Sequence, residues 1–277
     1  MIARRLALCA VACAVAAFAA RASAGACPGP GIRVLPDGSA AVPTNVQVRL
    51  LFDAERVAVV ELVDEVTRQI RKEGTVDAGA VDVLLETDDG AAVPVSLRRP
   101  PSTFRPVIIA APTTPLAPRT RYAVIVRSGP DSYVVGRFAT GDGPDTEPPA
   151  IGAVVDARFF RYPEPTDWKD PTGSAADVTF SGVDGAAALE VYALDGAGPP
   201  TDAGLRAIVE HRSGATVTLR DGGPCQWANF EFPDVPRGAR AYPLSLGVRA
   251  VDAAGNASAL VELTLDLAHP RMARKRR

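Results

Sequence analysis

The chain has 277 residues and carries 30 Lys and Arg against 32 Asp and Glu, a formal net charge of −2. Eight of the basic residues lie in the first 24 or the last seven positions, so the segment between them carries 22 basic against 32 acidic residues. A domain that binds nucleic acid needs a basic face, so this acidic segment argues against nucleic acid as the main ligand.

The first 24 residues have the three parts of a secretory signal peptide. Arg4 and Arg5 form a positive start, an apolar run covers residues 6–20, and Ala22-Ser-Ala24 is a small-residue cleavage site. The run is shorter than the roughly 18–20 apolar residues that a membrane-spanning helix needs. We therefore expect an exported protein without a transmembrane segment, located in the periplasm, at the cell surface or in the medium.

Two cysteines, Cys27 and Cys225, remain after removal of the signal peptide. An even number of cysteines in an oxidising compartment favours a disulfide. Two unrelated thiols, or a lipid attached to Cys27, are the alternatives. Phe230 and Phe232 share one strand face, which we expect to point into a core, so Cys225 points the other way. This parity suggests that the bond crosses between two domains.

The region from about residue 32 to 140 has the pattern of a β-sheet domain. Short segments alternate between apolar and polar side chains, as half-buried strands do, and Gly, Pro and Asp clusters separate them. The apolar positions of the first segments are Val46, Val48, Leu50 and Phe52, then Val81, Val83 and Leu85, then Val93, Val95 and Leu97. Two further segments run from Val107 to Ile109 and from Ser132 to Phe138.

One segment of this region, about residues 54–72, predicts a helix inserted between two strands. It has no turn residues, and Val59, Val63, Val66 and Ile70 recur at helical spacing, with Gly74 placed to end the helix.

The segment from Leu116 to Val126 predicts a tyrosine corner. A turn with Leu116 and Pro118 leads into a strand whose inward positions are Tyr122, Val124 and Val126. In β-sandwiches such a tyrosine packs in the core, and its hydroxyl hydrogen-bonds to backbone a few residues upstream.

A linker and a second β-rich unit follow. Residues 142–150 carry Pro, Gly and Asp and predict a semi-rigid linker, in which a solvated stretch is favoured over a calcium site. Residues 151–268 predict a second sandwich that ends in a hairpin turning at 252–256, and residues 269–277 form a basic tail.

Motifs of both units resemble those of bacterial Ig-like families. The first unit resembles the Ig-like domain of S-layer-associated proteins of the SbsA type, on Pro36-Asp-Gly38, Val42-Pro43, Val48 to Phe52, Leu116-x-Pro118-x-Thr120-x-Tyr122 and Phe138-x-Thr140-Gly141. The second resembles fibronectin-III-like and related modules, on Val248-Arg-Ala250-Val-Asp252-x-x-Gly255-Asn256. The resemblance implies an all-β chain of two tandem Ig-like sandwiches, mostly non-catalytic in such families.

Nothing in the sequence predicts catalytic, cofactor-binding or metal-binding residues. His211 and His269 are the only histidines, no nucleophile elbow is present, and no zinc or calcium spacing occurs. We therefore expect a protein without cofactors that is not an enzyme. An enzyme with an unrecognised site is the weakest alternative.

The candidate binding surface is the aromatic segment 159–168, with Phe159, Phe160, Tyr162 and Trp168. Aromatic rings on a loop can anchor a glycan or a protein, because they bury a large area at a small entropy cost. The favoured interpretation is that these rings fill the gap between the two domains or cover the open end of the second sandwich. We expect a structural or binding role at the cell envelope, with an unidentified protein or glycan partner. A carbohydrate- or protein-binding accessory module is the alternative.

The exported protein is expected to begin at or near Gly25 and to carry no lipid on Cys27. Cleavage after Ala24 follows from the small residues at 22 and 24, and the lipid is disfavoured because Ala24 stands where a lipoprotein has a large aliphatic residue. Intact-mass measurement of the exported protein checks both points. A diacylglycerol adduct with partition into detergent would contradict the prediction.

Overall fold

The computed structural model describes residues 31–38, 41–64, 69–101, 103–162, 173–194, 201–211, 213–222 and 228–272, without the side chains of 60–71 and 272. The described part is all-β and contains no helix. None of it could therefore cross a membrane as a helix.

Within the described residues, ten strands form the first half of the fold. They are β1 (Ile32–Leu35), β2 (Val48–Phe52), β3 (Arg56–Asp64), β4 (Gln69–Asp77), β5 (Asp82–Thr87), β6 (Ala92–Val93), β7 (Val95–Arg98), β8 (Val107–Pro112), β9 (Arg121–Ser128) and β10 (Asp131–Ala139).

Ten more strands form the second half. They are β11 (Ala150–Ile151), β12 (Val154–Arg161), β13 (Ser174–Phe180), β14 (Val183–Asp184), β15 (Ala188–Ala193), β16 (Leu205–Glu210), β17 (Thr216–Arg220), β18 (Pro243–Val251), β19 (Val261–Asp266) and β20 (Arg271–Met272).

Four four-stranded sheets make up most of the fold, and they stack in layers. Their strand orders are β10-β9-β5-β6, β1-β2-β8-β7, β16-β15-β18-β19 and β17-β13-β12-β20. The first two sheets enclose one apolar core, and the last two enclose a second core. The two middle sheets face each other across a third, smaller apolar cluster.

The first core depends on strict alternation along β5 and β9. Val83 and Leu85 on β5 pair in register with Val126 and Val124 on β9, and all four are buried. Because side chains on one strand face repeat every second residue, both strands present an apolar stripe to the facing sheet.

Tyr122 closes one end of this core. Its ring is buried and stacks on Phe138 with 5.6 Å between ring centroids. The Ala117 amide donates a 3.0 Å hydrogen bond to the Tyr122 hydroxyl, which ties the turn before β9 to the core. This is the contact that the Leu116–Tyr122 pattern predicts.

The helix predicted over residues 54–72 is wrong for the described residues. β3 and β4 form an antiparallel hairpin, with Val57 opposite Val76 and Val59 opposite Gly74. The β-branched valines favour this strand, and Val57, Val59 and Val76 bury in the first core. Residues 65–68, which connect β3 and β4 in the chain, lie outside the described part.

The second core is rich in aromatic rings. Phe230 packs on Phe232 with centroids 4.9 Å apart, and Phe232 packs on Phe159 at 5.0 Å. Phe230 and Phe232 thus point into the core as expected, although they precede β18 on a segment that is not a regular strand. The predicted tail differs at its start, because Arg271 and Met272 form β20, parallel to β12.

β2 was predicted to be half-buried, but all five of its residues are buried. Val48, Leu50 and Phe52 face the first core, while Leu51 belongs to the cluster between the two middle sheets. β15 has the same property, since Leu189 and Val191 face the second core, and its alternate residues face β2's sheet. A strand that is covered on both faces does not need a polar face.

Replacing Tyr122 with Phe is expected to lower the free energy of unfolding by about 1 kcal/mol, because the hydrogen bond to Ala117 is lost. Urea denaturation of the mature protein measures this change. Tyr242→Phe is the matched control, since this tyrosine only flanks the second core, and a change under about 0.5 kcal/mol is expected. Equal stability of the two variants would contradict a structural role for the corner.

Candidate functional site

The joint between the two middle sheets gathers the most unusual side chains of the molecule. Its apolar part consists of Leu35, Leu51, Val107 and Ile109 from the first half and of Ala188, Tyr192, Leu205 and Ile208 from the second. Arg49 on β2 and Glu190 on β15 are both 1% exposed. Alternation along each strand directs these two charged residues away from the sandwich cores and into the joint.

Glu190 is the acceptor at the centre of the joint. The Tyr192 hydroxyl donates to its Oε2 at 2.6 Å, and Arg249 Nε and Nη2 donate to the same oxygen at 2.8 and 2.6 Å. From the other half, Arg98 Nη2 lies 4.0 Å from Glu190 Oε1, and Arg98 Nη1 pairs with Asp202. The carboxylate is therefore satisfied mainly by its own sheet and is approached by the other.

These contacts determine the charge state of the joint. Burial alone would raise the pKa of the Glu190 carboxyl, but the Tyr192 hydroxyl and the Arg249 guanidinium hold that pKa below its ordinary value. Burial and the neighbouring carboxylate raise the pKa of Tyr192. Burial lowers the pKa of Arg249, but Glu190 more than compensates and the net pKa is raised. Glu190 is thus ionised and Tyr192 neutral at neutral pH.

Arg49 crosses the joint to backbone oxygens. Its Nη1 donates to Asp252 O of the second half at 3.1 Å and to Gln47 O of its own strand at 3.3 Å. Its Nε has no hydrogen-bond partner within the described residues. Burial lowers the pKa of Arg49, against the opposing charges of Glu190 and Asp252. A buried guanidinium with one unsatisfied donor costs free energy, and the bonds to the Asp252 and Gln47 carbonyls offset part of that cost.

The turn at 252–256 docks against the first half. The backbone amide of Gln47 donates to Ala253 O at 2.8 Å. Gly255 has φ +92°, and a Cβ there would lie 2.2 Å from the Gln47 side chain. Glycine at this position therefore supplies both the left-handed backbone and the close approach of the two halves.

Residues 142–150, the predicted linker, are held by both halves. Asn45 Nδ2 donates to the Asp145 carbonyl at 2.7 Å, and the Asp145 backbone amide donates to Asn45 Oδ1 at 2.9 Å. Asn256 Nδ2, from the second half, donates to the same Asp145 carbonyl at 3.1 Å. The linker is therefore fixed at the joint, which its Pro- and Gly-rich composition did not reveal.

A second group of charges lies at the edge of the joint. Asp53 accepts from the Gly31 amide at 2.9 Å and from Arg105 at 3.1 Å, and Arg33 bridges towards Glu210 of the second half at 3.5 Å. Burial raises the pKa of Asp53 despite these partners.

The structure accounts for only part of the predicted binding surface. Phe159 is 5% exposed and lies in the second core, and Phe160 is half-buried on β12, which extends to Arg161. The sequence predicts a loop or an irregular edge for these two rings, but they stand on a regular strand, because β12 pairs with β13 through Arg161. Tyr162 is half-buried directly after the strand. Trp168 lies outside the described residues.

The cysteine prediction also lies outside the described part. Neither Cys27 nor Cys225 is described, and the same holds for Trp227.

The polar residues considered for chemistry have structural contacts. Asp142 pairs with Arg119 at 2.6 Å, and the Asp145 carboxylate accepts from the Glu147 amide. His211 faces the carbonyls of Ala186 and Gly214. Within the described ranges, no group of three or more His, Cys, Asp or Glu could hold a metal ion.

Sequence reasoning missed Arg49 and Glu190. A charged residue between apolar ones is the ordinary sign of a solvent-facing strand position, and both residues fit that pattern. No signal within either strand distinguishes a face covered by another sheet from one covered by water.

Comparison with models of known protein families gives no match for this chain. Comparison with curated proteins gives no significant match either.

Glu190→Gln is expected to lower the free energy of unfolding at pH 7 by about 3 kcal/mol, since Arg249 then loses its buried counter-charge. The folded-state pKa of Glu190 is depressed, so its contribution is complete above the unfolded-state pKa of about 4.3 and is lost as the pH falls through the folded-state value. The difference from wild type should therefore narrow in acid. Urea titrations at neutral and acid pH measure it.

Glu262→Gln is the matched control, because Glu262 is exposed on β19 of the same sheet. A change under about 0.5 kcal/mol is expected for it at neutral pH. If Glu190→Gln were as stable as Glu262→Gln at pH 7, the buried charge would have no structural role.

Proposed function

We propose that this chain is an exported, non-enzymatic protein of two tandem Ig-like β-sandwich domains with a structural or binding role at the cell envelope. The observation that carries the proposal is the joint. Two sheets face each other, bury Arg49 and Glu190, and hold the connecting segment by hydrogen bonds from both sides. A module with such a joint keeps its two ends at a constant separation and angle, as a spacer or presenting scaffold must.

The Ig-like assignment is supported by each half separately. Each half pairs two four-stranded, mostly antiparallel sheets around its own core, and the first half has the Tyr122 hydrogen bond. We assign domains to residues 25–141 and 151–268. The β3–β4 hairpin, in place of a helix, is the insertion in the first domain.

The non-enzymatic assignment rests on how the buried polar groups are used. The carboxylate of Glu190 accepts hydrogen bonds from Tyr192 and Arg249, and Arg49 donates to backbone carbonyls. Both groups lie between two sheets, where a substrate has no access. The fold thus gathers its most perturbed ionisable groups for the joint, whereas an enzyme directs such groups into a cleft.

The aromatic-loop alternative has less support. A binding platform needs exposed rings, and Phe159 is packed against Phe232 in the second core. Tyr162 and Trp168 would have to provide the platform. A glycan array probed with the mature protein and with Trp168→Ala distinguishes this alternative from a purely structural role.

Complementation of a deletion strain tests the proposal. We expect loss of the gene to weaken the envelope, measured as detergent sensitivity, and the wild-type protein to restore it. A joint variant, Arg49→Met, keeps an unbranched apolar side chain but loses the guanidinium with its charge and its bonds to Asp252 and Gln47. We expect it to restore resistance only in part, with small-angle scattering showing a broader range of domain arrangements.

Arg127→Gln serves as the control, because Arg127 is exposed on β9, away from the joint. It should restore resistance fully and leave the scattering curve unchanged. Full restoration by an Arg49→Met protein with a loosened joint would contradict the structural role. Release of fragments from purified envelope material by the mature protein would contradict the non-enzymatic assignment.

A further inference from the structure

The outer face of the β10-β9-β5-β6 sheet has a depression between two opposite charges. The strand register puts Arg137 on β10 and Glu86 on β5 opposite the two sides of Ala123 on β9. Neighbouring strands are about 4.8 Å apart, so the two charged residues arise roughly 10 Å from each other. Between them, Ala123 projects only a methyl group, which leaves the floor low.

The depression is part of a cavity of about 460 Å³. Its floor continues along β9 and β10 with Ile125 and Val134, both half-buried. One wall is formed by Lys72 of the β3–β4 hairpin, which reaches over the sheet and is held by Asp131 at 2.8 Å. Asp88, beyond the end of β5, adds a second carboxylate beside Glu86. Cavities of about 300–1,000 Å³ accommodate small molecules.

Three of the four charged side chains that line the cavity have no partner within the described part of the chain. Within the described part of the chain, no ion pair or side-chain hydrogen bond engages Arg137, Glu86 or Asp88. The other acidic and basic groups nearby are committed, as Lys72 with Asp131 shows. A guanidinium on one side and two carboxylates on the other thus remain available to a ligand with the opposite polarity.

The cavity offers no exposed aromatic ring on which a ligand could stack, within the described residues. Tyr133, the one aromatic residue that lines the described cavity, is 3% exposed, and Lys72 Nζ lies 4.8 Å from its ring centroid. A sugar ring therefore has no open aromatic face here. A small dipolar molecule with an apolar body fits the lining better.

We propose that this cavity binds a short zwitterionic peptide with small apolar side chains. Its carboxylate pairs with Arg137, its ammonium group with Glu86 and Asp88, and its side chains rest on Ala123, Ile125 and Val134. Arg recognises carboxylates by paired N–H donors, and carboxylates bind ammonium groups by charge-assisted hydrogen bonds. The inference gives the first domain a ligand of its own, independently of the joint and of the proposed structural role.

Titration of the mature protein with alanyl-alanine, followed by amide chemical shifts of Ala123 and Ile125, tests the proposal. The controls are the N-acetylated and the C-amidated dipeptide, which each lack one charge. We expect the free dipeptide to bind, and either cap to weaken binding about tenfold, as the loss of one charge-assisted hydrogen bond does.

The variants assign each charge to its partner. Arg137→Gln should lower the affinity for the free dipeptide about tenfold, and the C-amidated dipeptide should then bind this variant as well as the free one does. Glu86→Gln should likewise lower the affinity, and the N-acetylated dipeptide should then bind that variant as well as the free one does. Arg127→Gln, on the same strand face but outside the cavity, should bind as wild type does. Absence of shifts at a large excess of dipeptide, or equal binding of the capped forms, would overturn the proposal. Neither outcome would affect the tests of the joint.

Discussion

The arrangement of the whole molecule depends on two buried charges between facing β-sheets. Glu190 and Arg49 are 1% exposed, and each is placed by the strand that carries it. Burying an ion is expensive unless its partners are in position. Glu190 has its main partners, Tyr192 and Arg249, within its own sheet, whereas Arg49 reaches the Asp252 carbonyl only across the joint. The surrounding apolar side chains provide attraction between the sheets but no direction. The polar contacts that cross the joint, from Arg49 to Asp252 and from Arg98 towards Glu190, are directional and favour one arrangement of the two sheets.

The turn at 252–256 and the connecting segment both contribute contacts to this joint. The turn at 252–256 closes the β18–β19 side of the second half, and the same turn presents Asp252 O and Ala253 O to the first half. Gly255 is needed there for its left-handed backbone and for the contact with Gln47. Asn45 and Asn256 then fix the connecting segment through Asp145. A segment that its composition describes as a spacer is therefore part of the rigid body.

The opposite face of the first half has a different character. There the β10-β9-β5-β6 sheet is open, and its charged residues Arg137 and Glu86 remain uncommitted within the described part. The two proposals therefore concern different layers of the molecule, the proposed structural role the charges between the middle sheets and the proposed peptide site the charges on the outer sheet. Such a division is consistent with a scaffold that presents a binding face at a defined angle.

The sequence alone determined the all-β class, the inward residues of most strands and the role of Tyr122, because period-two alternation and turn chemistry are local properties. It misjudged the β3–β4 hairpin, since valines four residues apart satisfy a helical period while also favouring strands. The prolines after Phe159 and Phe160 predict a loop or an irregular edge, but these two residues pair with β13 on a regular strand. The joint was decided only by the tertiary structure. Whether Arg49 and Glu190 face water or another sheet depends on contacts between residues about 140 positions apart. The alternating pattern of apolar and polar residues along a strand is the same in both cases.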